Sequence, residues 1–174
     1  MYKRQIADSA DFNYGSGDFT LECWVMPAKV NSSVILHAHT SGSNEGPCNL
    51  WFASGELQLY SSSNGSSFDV ASGTSFGYPP VGCWSHVAVS RSGTAMRLFF
   101  NGKNTNTVTT SATLMDASGN FEIGYRTDGE WFVGHVCDFR VVKGTAVYKQ
   151  DFAPPTKPLE AIENTVLLCC QNKY

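Results

Sequence analysis

The sequence has few charges and no concentrated run of basic residues. Charged side chains make up 16% of the 174 residues, and 12 Lys and Arg face 15 Asp and Glu, for a net charge of −3. The longest basic run is Lys3-Arg4. Because nucleic-acid binding depends on neutralising many phosphates, this composition predicts that nucleic acid is not a partner.

Long apolar runs are missing as well. No window approaches the roughly 20 apolar residues that a membrane-spanning helix needs, and no apolar segment typical of a signal peptide follows residues 1–5. We therefore expect no membrane insertion and no leader. With 42% hydrophobic residues, a chain of 174 residues can bury a core of its own, which favours one domain over residues 1–174.

The six cysteines form no CxxC pair, so the usual zinc and redox signatures are absent. Cys23 and Cys137 fall within apolar strand patterns, and the adjacent Cys169 and Cys170 would point to opposite faces of a strand. We expect six free thiols that behave as small buried hydrophobes. Such thiols are typical of a protein that folds in a reducing cytosol.

What the sequence does contain is alternation with a period of two. In residues 18–26 the side chains divide into two faces. One face is Phe19, Leu21, Cys23 and Val25, and the other is Thr20, Glu22, Trp24 and Met26. Similar segments recur along the chain, about ten in all, and turn signals separate them. This pattern predicts an all-β, antiparallel sandwich or barrel.

Local signals refine this prediction. The turn signals are Ser54-Gly55, Ser92-Gly93 and Asn101-Gly102, and the last of these is typical of a type I′ turn. We also expect a bulge at Gly134 and one helical turn at residues 144–148.

Three segments in order resemble laminin-G-like, concanavalin-A-like domains. Residues 10–25 resemble their opening strand, residues 84–103 their central hairpin, and residues 134–141 a late strand. The resemblance covers nearly the whole chain and implies a two-sheet jelly-roll sandwich.

The C-terminal part narrows the resemblance. Residues 141–148, 151–156 and 164–168 are similar to the form of this domain found in structural proteins of bacteriophages, marine phages especially. The resemblance implies a virion-surface module, in a tail fibre, a capsid fibre or a decoration protein.

Catalysis is not expected. Glycosidases need two carboxylates across a cleft, and those on related jelly rolls commonly place two acids two residues apart on a strand. Here Glu22 has Thr20 and Trp24 at those positions, and Asp138 has Val136 and Arg140. There is also no GxSxG motif for a nucleophilic serine.

Two interpretations exist for the strand faces opposite the apolar side chains. These faces carry Glu22, Trp24, His86, Arg97, Asp138 and Arg140. A sugar ring could stack on Trp24 while charged groups bind its hydroxyls. The favoured alternative is a structural network, for instance between Glu22 and Arg140, because long antiparallel sheets often carry paired charges.

Loops at the sandwich rim are the other candidate for a ligand site. Together with Trp24, the candidate ligand-binding residues are Tyr125, Arg126, Asp128, Glu130 and Trp131. His37, His39, Asn44 and Glu45 flank the first long loop. A packing or subunit-contact role is the alternative for these rim residues.

No cofactor is predicted, although the resemblance to laminin-G-like domains, some of which bind one calcium ion, implies calcium as an alternative. Calcium takes six to eight oxygen ligands, of which Asp128 and Glu130 could supply two. His37 and His39 have a spacing that could seed a zinc site but more often marks surface decoration.

The function predicted first is adhesion from the virion surface, after assembly in the host cytoplasm, to host glycan or protein. Many weak copies would act together, which favours a homo-oligomer. An architectural subunit that contacts only other virion proteins is the alternative. The side chains expected to be exposed and apolar, Trp51, Phe52 and Trp131, suit it equally well. The third possibility is an extracellular lectin-like domain.

Overall fold

The computed structural model describes residues 4–38, 45–126 and 129–171. Within these ranges the chain forms twelve β-strands and one short 3-10 helix, Ala10–Phe12. The strands are β1 (Arg4–Ile6), β2 (Phe19–Pro27), β3 (Ser33–Ala38), β4 (Asn49–Ala53), β5 (Glu56–Ser61), β6 (Ala71–Gly77), β7 (Ser85–Ser92), β8 (Ala95–Phe100), β9 (Lys103–Thr109), β10 (Phe121–Ile123), β11 (Gly134–Lys143) and β12 (Thr165–Cys169).

The strands form two antiparallel sheets of six. Sheet A has the order β1-β10-β3-β4-β5-β6, and sheet B has the order β12-β11-β2-β7-β8-β9. The predicted all-β, two-sheet architecture is therefore confirmed.

The core lies between the inner faces of the two sheets, as the alternation predicted. Phe19, Leu21, Cys23 and Val25 of β2 have no exposed surface. On sheet A, Trp51 is half-buried, whereas its neighbour Phe52 is buried. The expectation that Phe52 is exposed is therefore wrong, because successive residues of a strand point to opposite faces.

The turns follow the sequence signals with small shifts. Asn101 and Gly102 both have positive φ, 47° and 77°, as a type I′ turn requires. The turn after β7 lies at residues 93–94, one residue later than predicted. The bulge in β11 is wrongly placed by the sequence, since the register shift lies between Cys137 and Arg140 rather than at Gly134.

Gly134 is needed for a different reason, because a Cβ there would overlap the backbone oxygen of Met26.

None of the six cysteines forms a disulfide, and all but the exposed Cys83 are buried. The expectation that Cys169 and Cys170 point to opposite faces is wrong. Cys170 follows the end of β12 with a φ of 60°. This left-handed conformation breaks the alternation, and the two Sγ atoms lie 3.5 Å apart.

Residues 144–160, here called the strap, cross the outer face of sheet B without regular secondary structure, so the predicted helical turn at residues 144–148 is wrong. The Val147 amide donates to Oγ1 of Thr20 at 2.8 Å. The Phe152 amide donates to the Gly102 carbonyl at 2.9 Å. The rings of Tyr148 and Phe152 stack at 3.6 Å. These contacts fasten the strap to β2 and to the turn between β8 and β9.

The Gly102 contact generates a prediction with a matched control. Gly93 and Gly102 both have positive φ, but a Cβ at Gly102 would overlap the Phe152 carbonyl oxygen, whereas a Cβ at Gly93 meets nothing within 4 Å. Gly93→Ala should cost about 1 kcal/mol for the left-handed backbone. Gly102→Ala should cost roughly 1–3 kcal/mol more, because the strap must shift. Urea unfolding measures both, and equal losses would contradict the strap contact.

Candidate functional site

The outer face of sheet B is organised around the carboxylate of Glu22. Arg140 donates to Glu22 Oε1 from Nε at 2.9 Å and from Nη2 at 2.6 Å. The Tyr148 hydroxyl donates to Oε2 at 2.8 Å, and His86 Nε2 lies 3.1 Å from the same oxygen. The predicted Glu22–Arg140 pair is therefore present, as part of a larger network.

This network is closed to solvent. Glu22 and His86 have no exposed surface. Burial alone would raise the pKa of Glu22, but the hydrogen bond with His86 and the positive charge of Arg140 outweigh burial and lower the pKa. Burial and the neighbouring Glu22 raise the pKa of Tyr148, so the phenol keeps its proton. A carboxylate held in this way cannot reach an external substrate.

Trp24, the first of the predicted ligand-binding residues, lies on this same outer face. Its ring packs edge-on against His86, with the ring centroids 5.3 Å apart. Trp24 is paired in register with His86 on one side and with Cys137 on the other. The structure therefore separates Trp24 from the other predicted residues, which follow β10 on sheet A.

Four of the five predicted loop residues do come together, in a short hairpin that continues from β10. Tyr125 and Trp131 form an antiparallel bridge. The amide of Arg126 donates to the carbonyl of Glu130 at 2.9 Å. The fifth residue, Asp128, lies outside the described residues.

The hairpin presents an aromatic platform. Trp131 is 39% exposed, and its ring centroid lies 4.7 Å from that of Tyr125, with an angle of 42° between the planes. Tyr125 is itself buried. Because Tyr125 supports it, the Trp131 ring is held in place with part of its surface open to solvent.

Polar groups lie beside this platform. Arg126 Nη1 is 3.5 Å from Glu130 Oε2, and the hydroxyl of Ser32 donates to Glu130 Oε1 at 3.1 Å. We call Ser32, Tyr125, Arg126, Glu130 and Trp131 the Trp131 rim. Ser32 was not identified from the sequence, where nothing marks its contact with a residue 98 positions away.

Arg126 links the rim to the outer face of sheet A. Its guanidinium carbon lies 5.2 Å from the ring centroid of Trp51. Trp51 also packs against Tyr60 at 4.6 Å and edge-on against Phe68 at 5.3 Å. These neighbours cover much of Trp51, so Trp131 is the more accessible indole.

Of the four residues predicted to flank the first long loop, only His37 and Glu45 lie within the described residues. His37 is buried, with its ring centroid 6.2 Å from that of Trp51, and its Nδ1 lies 3.5 Å from Glu122 Oε2. Glu45 is half-buried. His39 and Asn44 lie outside the described residues.

Metal ligands do not cluster in the described part of the chain. Across residues 4–38, 45–126 and 129–171, no group of three or more His, Cys, Asp or Glu side chains could hold a metal ion. Both carboxylate oxygens of Glu130, a predicted calcium ligand, already contact Ser32 and Arg126. The same ranges contain no helix that could span a membrane.

A family model described as the Concanavalin A-like lectin/glucanases superfamily, of the laminin G type, matches residues 4–147. The matched range includes β1 to β11 and therefore most of both sheets. No curated protein sequence matches the chain.

Several solved structures share the fold. Domain 4 of AbnA, a GH43 extracellular arabinanase from Geobacillus stearothermophilus, in complex with arabinotriose, is 18% identical, with a TM-score of 0.60 over 82% of this chain and 67% of that one. A Bacteroides ovatus protein to which carbohydrate binding has been attributed is 17% identical, with a TM-score of 0.70 over 98% of this chain and 49% of that one.

The LG4-5 domains of the mouse laminin alpha1 chain are 15% identical, with a TM-score of 0.57 over 90% of this chain and 45% of that one. The chain thus spans about half the length of the Bacteroides and laminin structures. At these identities the likeness establishes the fold.

The buried network generates a stability prediction. Glu22→Gln should lower the free energy of unfolding by about 3–5 kcal/mol, because it leaves the buried Arg140 charge without its partner. Lys103→Gln is the control, since it removes one member of an exposed ion pair with Asp151 and exposed pairs contribute little.

Glu22→Gln should also change how the free energy of unfolding depends on pH. The folded-state pKa of Glu22 is lowered, so the stability from its ionised form is present in full above the unfolded-state pKa of about 4.3 and is lost as pH falls through the folded-state value. The stability gap between the native protein and Glu22→Gln should therefore narrow at acid pH. A gap that stays constant there in urea titrations would contradict the account.

Proposed function

The chain belongs to the Concanavalin A-like lectin/glucanases superfamily, and we propose that it is a non-catalytic glycan-binding module, one domain over residues 1–174, whose ligand binds at the Trp131 rim. The observation that carries this proposal is the exposed Trp131 ring, fixed on Tyr125 with the side chains of Arg126, Glu130 and Ser32 beside it.

The chemistry of the rim suits a sugar. The C–H faces of a sugar ring pack against an aromatic ring, and its hydroxyls need donors and acceptors at the edge of the contact. Glu130 accepts hydrogen bonds and Arg126 donates them. Because the hairpin already orders these groups, binding would cost little side-chain entropy.

The closed network on sheet B supports a role without catalysis. Glycoside hydrolysis needs two carboxylates that reach the substrate from opposite sides of the bond. Glu22 is fully buried and engaged by Arg140, His86 and Tyr148.

The similar folds support sugar binding as a class. The arabinanase domain is in complex with arabinotriose, and carbohydrate binding has been attributed to the Bacteroides protein.

The module is proposed to act on the surface of a virion, in a tail fibre, a capsid fibre or a decoration protein, with other virion proteins and host-cell glycans as its partners. The support is the resemblance of residues 141–148, 151–156 and 164–168 to bacteriophage structural proteins. A homo-oligomer would raise the avidity of a shallow site for a host surface.

One observation favours the architectural alternative. Tyr78, Val81 and Val133 are exposed apolar side chains, at 67%, 54% and 40%. Such side chains suit contacts with other virion subunits. In that role the protein would bind only neighbouring subunits, and no glycan.

A pair of tryptophan variants tests the glycan site. Trp131→Ala should weaken binding to an oligosaccharide such as arabinotriose by roughly tenfold, because it removes the stacking surface. Trp24→Phe should leave the affinity unchanged, since Trp24 lies on the other sheet. Isothermal titration measures both affinities, and thermal unfolding checks that both variants are folded. If Trp24→Phe abolished binding while Trp131→Ala did not, the site would be wrong. If the native protein bound no glycan in a wide panel, the proposed function would fail.

The location is tested on particles. Mass spectrometry of purified virions from the source should detect the chain, and antibody labelling of intact particles should place it outside. Purified particles that lack the chain would overturn the virion role and leave the glycan test unaffected.

A further inference from the structure

We infer that the Trp131 rim selects uncharged sugar chains and excludes acidic glycans, with Glu130 as the excluding group. This inference rests on the proposed glycan-binding function and adds the class of its ligand. It is carried by the charges around Trp131 and by the way in which Glu130 is held.

The Trp131 rim carries one acidic and one basic side chain, Glu130 and Arg126, and they contact each other. Glu122, in the strand that leads into the hairpin, is buried beside His37 and does not face the rim. The neighbouring segment 28–32, which contacts the rim through Ser32, adds one exposed lysine, Lys29. An anionic ligand at Trp131 would therefore meet the Glu130 carboxylate beside an arginine that is already paired with it.

The one arginine of the rim is already engaged. Its Nη1 lies 3.5 Å from Glu130 Oε2, and its guanidinium carbon lies 5.2 Å from the Trp51 ring centroid. Tight recognition of a carboxylate or a sulfate uses the arginine fork with two parallel hydrogen bonds. Here an incoming anion would have to replace Glu130 or share Arg126 with it.

Glu130 is also held in place. The Ser32 hydroxyl donates to its Oε1 at 3.1 Å, and its backbone carbonyl accepts from the Arg126 amide at 2.9 Å. Moving the carboxylate aside would break the first of these bonds. A fixed like charge beside the binding platform disfavours anions without weakening neutral ligands, which is how specificity against a competitor is commonly built.

Uncharged sugars match the same pair of groups. A hydroxyl can donate to Glu130 while a neighbouring hydroxyl oxygen accepts from Arg126, so two adjacent hydroxyls would satisfy both. The ring above them would then lie against Trp131. Because a neutral sugar brings no charge to the site, its affinity should depend only weakly on salt concentration.

Matched polysaccharide pairs test the inference. Each pair is a neutral polymer and the same polymer with its primary hydroxyls oxidised to carboxylates, prepared from β-1,4-galactan, β-1,4-mannan and laminarin. A fourth pair is highly methyl-esterified and de-esterified homogalacturonan. Gel retardation in calcium-free buffer gives the affinity of the native protein, of Glu130→Gln and of Glu163→Gln for each polymer. Glu163 is exposed in the turn before β12, so its variant has the same net charge change away from the rim.

The native protein should bind at least one neutral polymer and should bind its acidic counterpart at least tenfold more weakly. Glu130→Gln should recover roughly three- to tenfold of the acidic binding, since it removes one like charge close to the ligand. Glu163→Gln should recover none.

Each other outcome overturns a defined part of the account. Acidic polymers bound as tightly as neutral ones would overturn the ligand class while leaving glycan binding in place. Equal recovery in Glu130→Gln and Glu163→Gln, or none in either, would overturn the role of Glu130. Binding to no polymer of either kind would overturn the proposed function and this inference with it.

Discussion

The structure depends on one buried carboxylate. Glu22 of β2 has no exposed surface and is held by Arg140 of β11, His86 of β7 and Tyr148 of the strap. An unpaired charge at such a position costs several kcal/mol, so these partners must be present together. They join three adjacent strands of sheet B to a segment more than a hundred residues away from Glu22. With the strap in place, the part of the outer face of sheet B around Glu22 is buried. The proposed ligand site lies elsewhere, at the rim of sheet A.

Alternation predicted the sheets because it is a local property of the chain. Phe19, Leu21, Cys23 and Val25 could be assigned to the core from spacing alone, and all are buried. Asn101-Gly102 was equally readable, since few residue pairs accept two positive φ values. Features that depend on contacts between distant parts of the chain could not be predicted from the sequence. The bulge between Cys137 and Arg140, the turn of Cys170 and the path of the strap depend on the strand or sheet packed beside them.

The candidate site divides in the same way. Tyr125, Arg126, Glu130 and Trp131 are near neighbours in sequence, and a hairpin is enough to bring them together. Trp24 was included for its chemistry alone, and the fold places it on the other sheet. The contacts of Ser32 and Trp51 with the hairpin could not be predicted from the sequence. They arise only when β3 and β4 assemble next to β10 in sheet A. Proximity in sequence therefore predicted which residues share the candidate site better than residue type did.

The central functional claim is that the ligand binds at the Trp131 rim and not on the outer face of sheet B. A ligand titration followed by nuclear magnetic resonance tests it most directly. The chain has four tryptophans, and each gives one indole N–H signal. When a neutral oligosaccharide that the protein binds is added, the indole N–H signal of Trp131 should shift most. The Trp51 signal should shift less, because Trp51 contacts the site only by way of Arg126. The signals of Trp24 and Trp84, both on sheet B or next to it, should stay in place. Shifts of the Trp24 signal with the Trp131 signal unmoved would contradict the account.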